Sequence, residues 1–310
     1  MDLSPTQIDG RKVGVIGVPT SAGAFAPGQE QAPAALRQAG LVELLRDSGV
    51  EVSDYGDREV WRWRPDRERP LAQNLGKVVE IVDDTAARVV ESILAKEITL
   101  VLGGDCTIGV GTVAGHVERS DKVGLVYFDL HADLNIPTSA PPGALDWMGM
   151  AHMLGDEGAE RELVEVGSRV PLLAPEQVVL LAWGPEQARP HERETIDRLE
   201  LEAIPVDEVR DDPAGAARRA LDVLAGPDRL LVHFDVDVVD FTETPLSENP
   251  GRNEGLAYEQ AAAALAVLLA SPALAGVTVT ELNPDHVEEG AGSIERLAGD
   301  LAAGLTGSGQ

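Results

Sequence analysis

Residues 123–135 read VGLVYFDLHADLN, an apolar run that ends in Asp129, His131 and Asp133 alternating with Leu130 and Ala132. The run has the length of a strand and no polar alternation, which predicts a strand covered on both faces, as in a parallel sheet. In an extended chain, successive side chains point to opposite faces, so residues two apart share one. Carried through residue 133, that rule predicts that two acids and an imidazole converge. The charge gathered there needs a compensating partner.

Similar runs recur along the chain. Strands are predicted at 13–18, 98–104, 123–130, 178–183, 229–236 and 277–282, all rich in Val and Leu. Helices are predicted near 33–48, 75–96, 107–119, 187–200, 213–225 and 257–270. Such alternation predicts a three-layer α/β/α sandwich with a mainly parallel sheet. No linker-like, repetitive or low-complexity stretch divides the sequence, so residues 1–310 are expected to form one domain.

The formal net charge of −28 argues against nucleic acid or an anionic membrane as partner. No apolar stretch has the length of a bilayer-spanning helix. The opening MDLSPTQIDG lacks a basic segment followed by an apolar core, so a cytoplasmic location is expected. A single cysteine excludes an internal disulfide and fits a reducing compartment. Neither G-x-S-x-G nor a phosphate-binding glycine loop occurs.

In parallel sheets, sites gather beyond the carboxyl ends of the strands. Four predicted ends are polar: GGDCT (103–107), the segment from Asp129 to Asp133, HFDVDVVD (233–240), where Asp235 and Asp237 share a face, and TELNPDH (280–286), which presents Glu281. In a chain with 53 acids a lone D-x-D is most often a solvated pair. Two such pairs, each directly after an apolar strand, are harder to assign to the surface. Four clustered carboxylates repel unless protonated or bound to a cation. Mixed oxygen and imidazole donors suit Mn²⁺, Fe²⁺ or Zn²⁺, and bridging carboxylates would hold two such ions.

The four motifs, in this order, resemble the ureohydrolase family of arginases, agmatinases and formimidoylglutamases. VIGVPTSAGAFAPGQEQAPAALRQAGL (15–41) and DYGD (54–57) resemble that family's opening, so the likeness spans nearly the whole chain. The resemblance implies an arginase-like fold, usually a two-manganese centre, and a homo-oligomer acting on a small guanidino or amidine substrate. By motif, Asp129 and Asp235 would bridge the ions, Cys106 and Asp133 would complete one site, and His131 and Asp237 the other. Asp133 would also hold the attacking water. Glu281 would bind the guanidinium, and Asn135 would lie near the remote end of the substrate.

Two departures from the family pattern stand out. Position 106 is cysteine where a histidine ligand is usual. It reads either as a buried inert thiol or as a thiolate ligand, favoured by a helix N-terminus and a nearby dication. A softer ligand would tilt the choice towards Zn²⁺ or Fe²⁺. The second departure is PPGALDWMGMAHMLG (141–155), which has no histidine at the place of the usual proton relay; His152 comes too late. Asp146 would substitute as an acid and contact substrate, or cap a helix. Trp147 would line the pocket or pack in the core. Glu186 reads more readily as a helix cap than as a substrate contact, and His116, His191 and His286 have no catalytic spacing.

The leading expectation is a metal-dependent hydrolase that cleaves a carbon–nitrogen bond of a guanidino or N-hydroxyguanidino compound and releases urea or a urea derivative. Its rivals are a formimidoyl or amide hydrolase on the same scaffold and a metal-bound binding protein without turnover.

Overall fold

All six residues of Val123–Phe128 are buried, and their side chains divide between two cores. Val126 and Phe128 face one core, Leu125 and Tyr127 the other. Such two-sided burial requires a layer of helices on each face of the sheet. The computed structural model describes residues 11–224, 226–250, 254–288 and 290–307. Among them, eight strands form one sheet: β1 (Lys12–Gly17), β2 (Glu51–Asp57), β3 (Ile98–Leu102), β4 (Val123–Phe128), β5 (Val178–Trp183), β6 (Glu202–Pro205), β7 (Arg229–Asp235) and β8 (Leu274–Thr280). Their order is β2-β1-β3-β8-β7-β4-β5-β6, with every pairing parallel.

Helices Ala32–Gln38, Leu41–Asp47, Pro213–Val223, Tyr258–Leu269 and Ser293–Thr306 cover one face. Leu75–Leu94, Ile108–Val117, Gly149–Leu154 and Pro190–Leu199 cover the other. Phe128 meets Phe234 of β7 with ring centroids 5.4 Å apart, a pair worth roughly 0.5–1.5 kcal/mol beyond its burial. No helix among the described residues is long and apolar enough to cross a membrane.

The sandwich and all six expected strands are present, with differences at the edges and ends. The outer strands β2 and β6 were not expected, because EVSDYGD and EAIP lack the continuous apolar run of a central strand. The expected helix 33–48 is two helices, broken where Gly40 adopts φ 84°. The expected strands through 130, 236 and 282 end earlier, at Phe128, Asp235 and Thr280. The chain turns at each of these points, and those turns build the site. The four strands that lead into it, β3, β8, β7 and β4, are neighbours at the centre of the sheet.

Candidate metal centre

The turn after β3 depends on glycine. A Cβ on Gly104 would lie 1.8 Å from the Thr20 carbonyl oxygen, so only glycine lets the two backbones approach so closely. Asp105 is fully buried and structural: its carboxylate accepts from the Gly23 and Thr107 amides at 3.0 and 3.1 Å. This seats Cys106 just before the helix Ile108–Val117. The Sγ of Cys106 lies 2.8 Å from Asp235 Oδ2, 3.2 Å from Thr280 Oγ1 and 3.4 Å from His233 Nε2.

Strand alternation does not by itself gather the other polar groups. Beyond Phe128 the chain leaves the strand, the His131 amide donates to Asp129 Oδ1 at 2.6 Å, and Asp133 adopts φ 48°. Beyond β7 a 3-10 turn follows, in which the Asp237 amide donates to Asp235 Oδ1 at 2.7 Å. Glu281 has φ 60°. Left-handed backbone at non-glycine residues costs on the order of 1–3 kcal/mol each and persists where the surroundings enforce it. Here it aims two carboxylates into one cleft.

Two donor groups result. Cys106, Asp129, His233 and Asp235 offer atoms all within 4.8 Å of one another, as do Asp129, His131 and Asp237. Asp129 belongs to both groups. Asp235, expected to bridge as well, belongs to the first only, and Asp133 to neither. One oxygen of the Asp133 carboxylate accepts from the Tyr127 hydroxyl. His131 Nδ1 lies 3.0 Å from Asp237 Oδ2, and its Nε2 lies 3.3 Å from Gln187 Oε1, a contact that fixes the ring.

Burial and mutual repulsion dominate the electrostatics of these groups. Asp129 is pushed up to about 7, first by burial and then by the charge of Asp237. Asp133, Asp146, Asp235 and Glu281 are raised as well, first by burial and then by neighbouring carboxylates. Burial, with Asp235 and Glu281, raises the Cys106 thiol. His131 is raised although burial opposes it, because Asp237 and Asp129 face it. Burial lowers His233 to about 3, so its imidazole is neutral. Asp129 Oδ2 is buried without a hydrogen-bond partner among the described residues. A divalent cation would satisfy that oxygen and displace the shared protons, so this donor set fits one.

The narrow cleft above these groups is lined by Phe25, Asp133, Asp146, Trp147, Glu248, Asn249 and Glu281 together with Cys106, His131, Asp235 and Asp237. No lysine or arginine among the described residues lines it. Glu281 is held on both oxygens, by the Cys106 amide and by Gln29 Nε2, each at 3.0 Å. Asp146 is buried in the cleft wall, and the Trp147 amide donates to its Oδ1 at 3.0 Å. Trp147 is half-buried, lines the cleft and packs against Phe25. A wider adjoining cavity is lined by Asn135, Gln187, Arg189 and Glu192 and shares His131, Asp133, Trp147 and Asn249 with the cleft.

The other histidines serve structure. His116 pairs with Thr99, His152 accepts from the Glu160 amide, His191 pairs with Asp156 and His286 with the Ser247 carbonyl. Glu186 is exposed. Sequence reasoning missed Gln29, Tyr127, Gln187 and His233. Only His233 carried a usable signal, since it precedes Asp235 by two residues on the same strand.

A parallel sheet whose four central strands end in acids, a thiol and two imidazoles defines an α/β protein equipped to hold divalent cations in a strand-end cleft. The model of the Arginase family matches residues 11–306, and this chain belongs to that family. The arginase of Bacillus subtilis (strain 168) is 30% identical over 281 residues, covering 89% of this chain and 92% of the relative. A crystal structure of Bacillus subtilis arginase superposes with a TM-score of 0.83 at 27% identity, covering 96% of this chain and 99% of the other. The Bacillus subtilis formimidoylglutamase structure shares the fold, with a TM-score of 0.75 at 18% identity over 97% and 88% of the two chains. The chain is thus a ureohydrolase-family hydrolase acting on carbon–nitrogen bonds of guanidino or amidino compounds.

Proposed function

We propose that this protein hydrolyses a guanidino carboxylic acid to urea and an amine, and that it depends on divalent metal held by Cys106, Asp129, His131, Asp235 and Asp237. The observation that carries this reading is the juxtaposition of the acidic donor groups with Glu281, whose two oxygens are fixed by Gln29 and the Cys106 amide. When bound, divalent metal supplies Lewis-acid polarisation and lowers the pKa of water.

The protein's own groups do the rest. Glu281 receives the guanidinium through charge-assisted hydrogen bonds, which are planar and directional for such a group. Tyr127, donating to Asp133, holds that carboxylate at the cleft wall, where it orients the attacking water and accepts its proton. Burial and the neighbouring Glu281 favour the protonated form of Asp146. With Oδ1 engaged by the Trp147 amide, its Oδ2 delivers that proton to the leaving amine, a role that needs no histidine in 141–155. Trp147 and Phe25 exclude water at the mouth.

In the adjoining cavity Arg189 is the one arginine or lysine among the described lining residues, lying 5.7 Å over the Trp147 ring. Asn135 accepts the Ser139 hydroxyl on Oδ1 at 3.0 Å, which leaves its NH₂ group as a donor. Together they suit a carboxylate at the remote end of the substrate. The test is a urea- and ammonia-release screen of metal-loaded protein over guanidino acids, their N-hydroxy forms, agmatine-like guanidino amines and formimidoyl amino acids. Urea from the guanidino acids is expected. Turnover confined to formimidoyl compounds would replace this reading with its nearest rival.

A further inference from the structure

The histidine that the family pattern places after β3 is absent, yet a different imidazole reaches the same donor group. We propose, resting on the metal-dependent reading above, that His233 is a ligand of the inner cation together with Cys106, Asp129 and Asp235. The imidazole missing from position 106 would then be supplied from β7, across the thiol.

His233 and Asp235 are two residues apart on β7 and project to the same face of the sheet. Two ligands of one tetrahedral zinc, bound at about 2.3 Å through sulfur and about 2.0–2.1 Å through nitrogen, lie about 3.5 Å apart. The observed separation between Cys106 Sγ and His233 Nε2 is 3.4 Å. The imidazole is 2% exposed and stacks on the Tyr127 ring, with centroids 4.2 Å apart and planes 11° from parallel. Behind it, a Cβ on Gly109 would come within 2.7 Å of Nδ1, so a helical position without a side chain makes room for the ring. Stacking and this close backing fix Nε2 towards the donor group, and the ring's hydrogen-bond partners, Cys106 and Thr280, lie on that side. Asp133, the other candidate for this place, lies outside this donor group and accepts from Tyr127 on one oxygen.

The two sites would then differ in kind. The inner one has one sulfur, one nitrogen and carboxylate oxygens, is fully buried and suits Zn²⁺ or Fe²⁺. The outer one, formed by Asp129, His131 and Asp237, has only nitrogen and oxygen donors, includes the half-buried His131 and suits Mn²⁺.

X-ray absorption at the zinc edge on His131→Ala protein carrying one equivalent of zinc isolates the inner site. One sulfur near 2.3 Å plus imidazole scattering is expected. In the double variant His131→Ala/His233→Gln the imidazole signal should vanish and zinc affinity fall about a hundredfold or more, since even losing a group that only supports a ligand costs 10–100-fold. If the double variant does not fold, NMR of cobalt-loaded wild-type protein replaces it: two paramagnetically shifted imidazoles support the assignment, and one overturns it. Sulfur and oxygen scattering without imidazole would overturn the His233 ligand alone. Failure of the wild-type protein to bind any of these metals would overturn the metal-dependent reading and this inference with it.

Discussion

Asp129 is shared by both donor groups, so replacing it with Asn in the metal-free protein tests whether the site stores unfavourable charge. Its carboxyl is held at about 7, against an ordinary value of 3.8. Between those values the folded chain keeps a proton that the unfolded chain has released, so stability declines as pH rises through this window. That gap corresponds to roughly 4 kcal/mol. The raised His131 acts in the same direction but in a higher window, since its contribution is intact below 6.5 and is lost only as pH rises beyond it. At about 2.1 cal/mol/K per residue, a chain of 310 residues converts roughly 4 kcal/mol into about 6 °C. Thermal melts in chelator should therefore show the wild-type Tm falling by about that much relative to Asp129→Asn between about pH 4 and pH 7.5. Metal at about 100 times Kd should return roughly 2.7 kcal/mol to the wild type. That gain should grow with pH as the competing protons leave. A Tm difference that stays flat across the window, or one that rises with pH, would refute the stored-charge reasoning.

Glu281→Gln should retain metal by elemental analysis while kcat/KM on a cationic guanidine drops by roughly a hundredfold or more, the scale of breaking a buried charge pair. Tyr127→Phe should leave metal content unchanged and lower kcat by roughly tenfold or more, because Asp133 loses a hydrogen bond to a charged group worth about 1.5–3 kcal/mol. Cys106→His should shift competitive binding from zinc towards manganese, read by metal analysis after equilibration with both ions.

The centre of the fold was legible because β3, β4, β7 and β8 are continuous apolar runs buried on both faces. The edge strand β2 was not, since a strand with one open side tolerates Glu51, Asp54 and Asp57. The acids of the site were visible for a related reason: apolar strands that end in Asp129 or Asp235 break their own pattern. Their arrangement was less visible. Convergence of Asp129, His131 and Asp133 was expected from strand alternation, whereas it depends on left-handed backbone at Asp133, which no period of two describes. Gln29 and Tyr127 act through contacts 252 and 6 residues away in sequence, which only the folded chain brings together. His233 was hidden by attention to the acids that follow it. The alternation that marks Asp235 and Asp237 extends back to it along β7.

Metal-dependent hydrolysis of an amidino carbon–nitrogen bond in this cleft can be followed by titrating metal into chelator-stripped protein while counting bound ions and measuring urea release from a guanidino carboxylic acid. The stripped protein should release no urea, turnover should rise with occupancy and saturate when both donor groups are filled, and Asp129→Ala should show neither tight binding nor urea. Equal turnover with and without metal, or full occupancy with no urea from any guanidino compound, would contradict it.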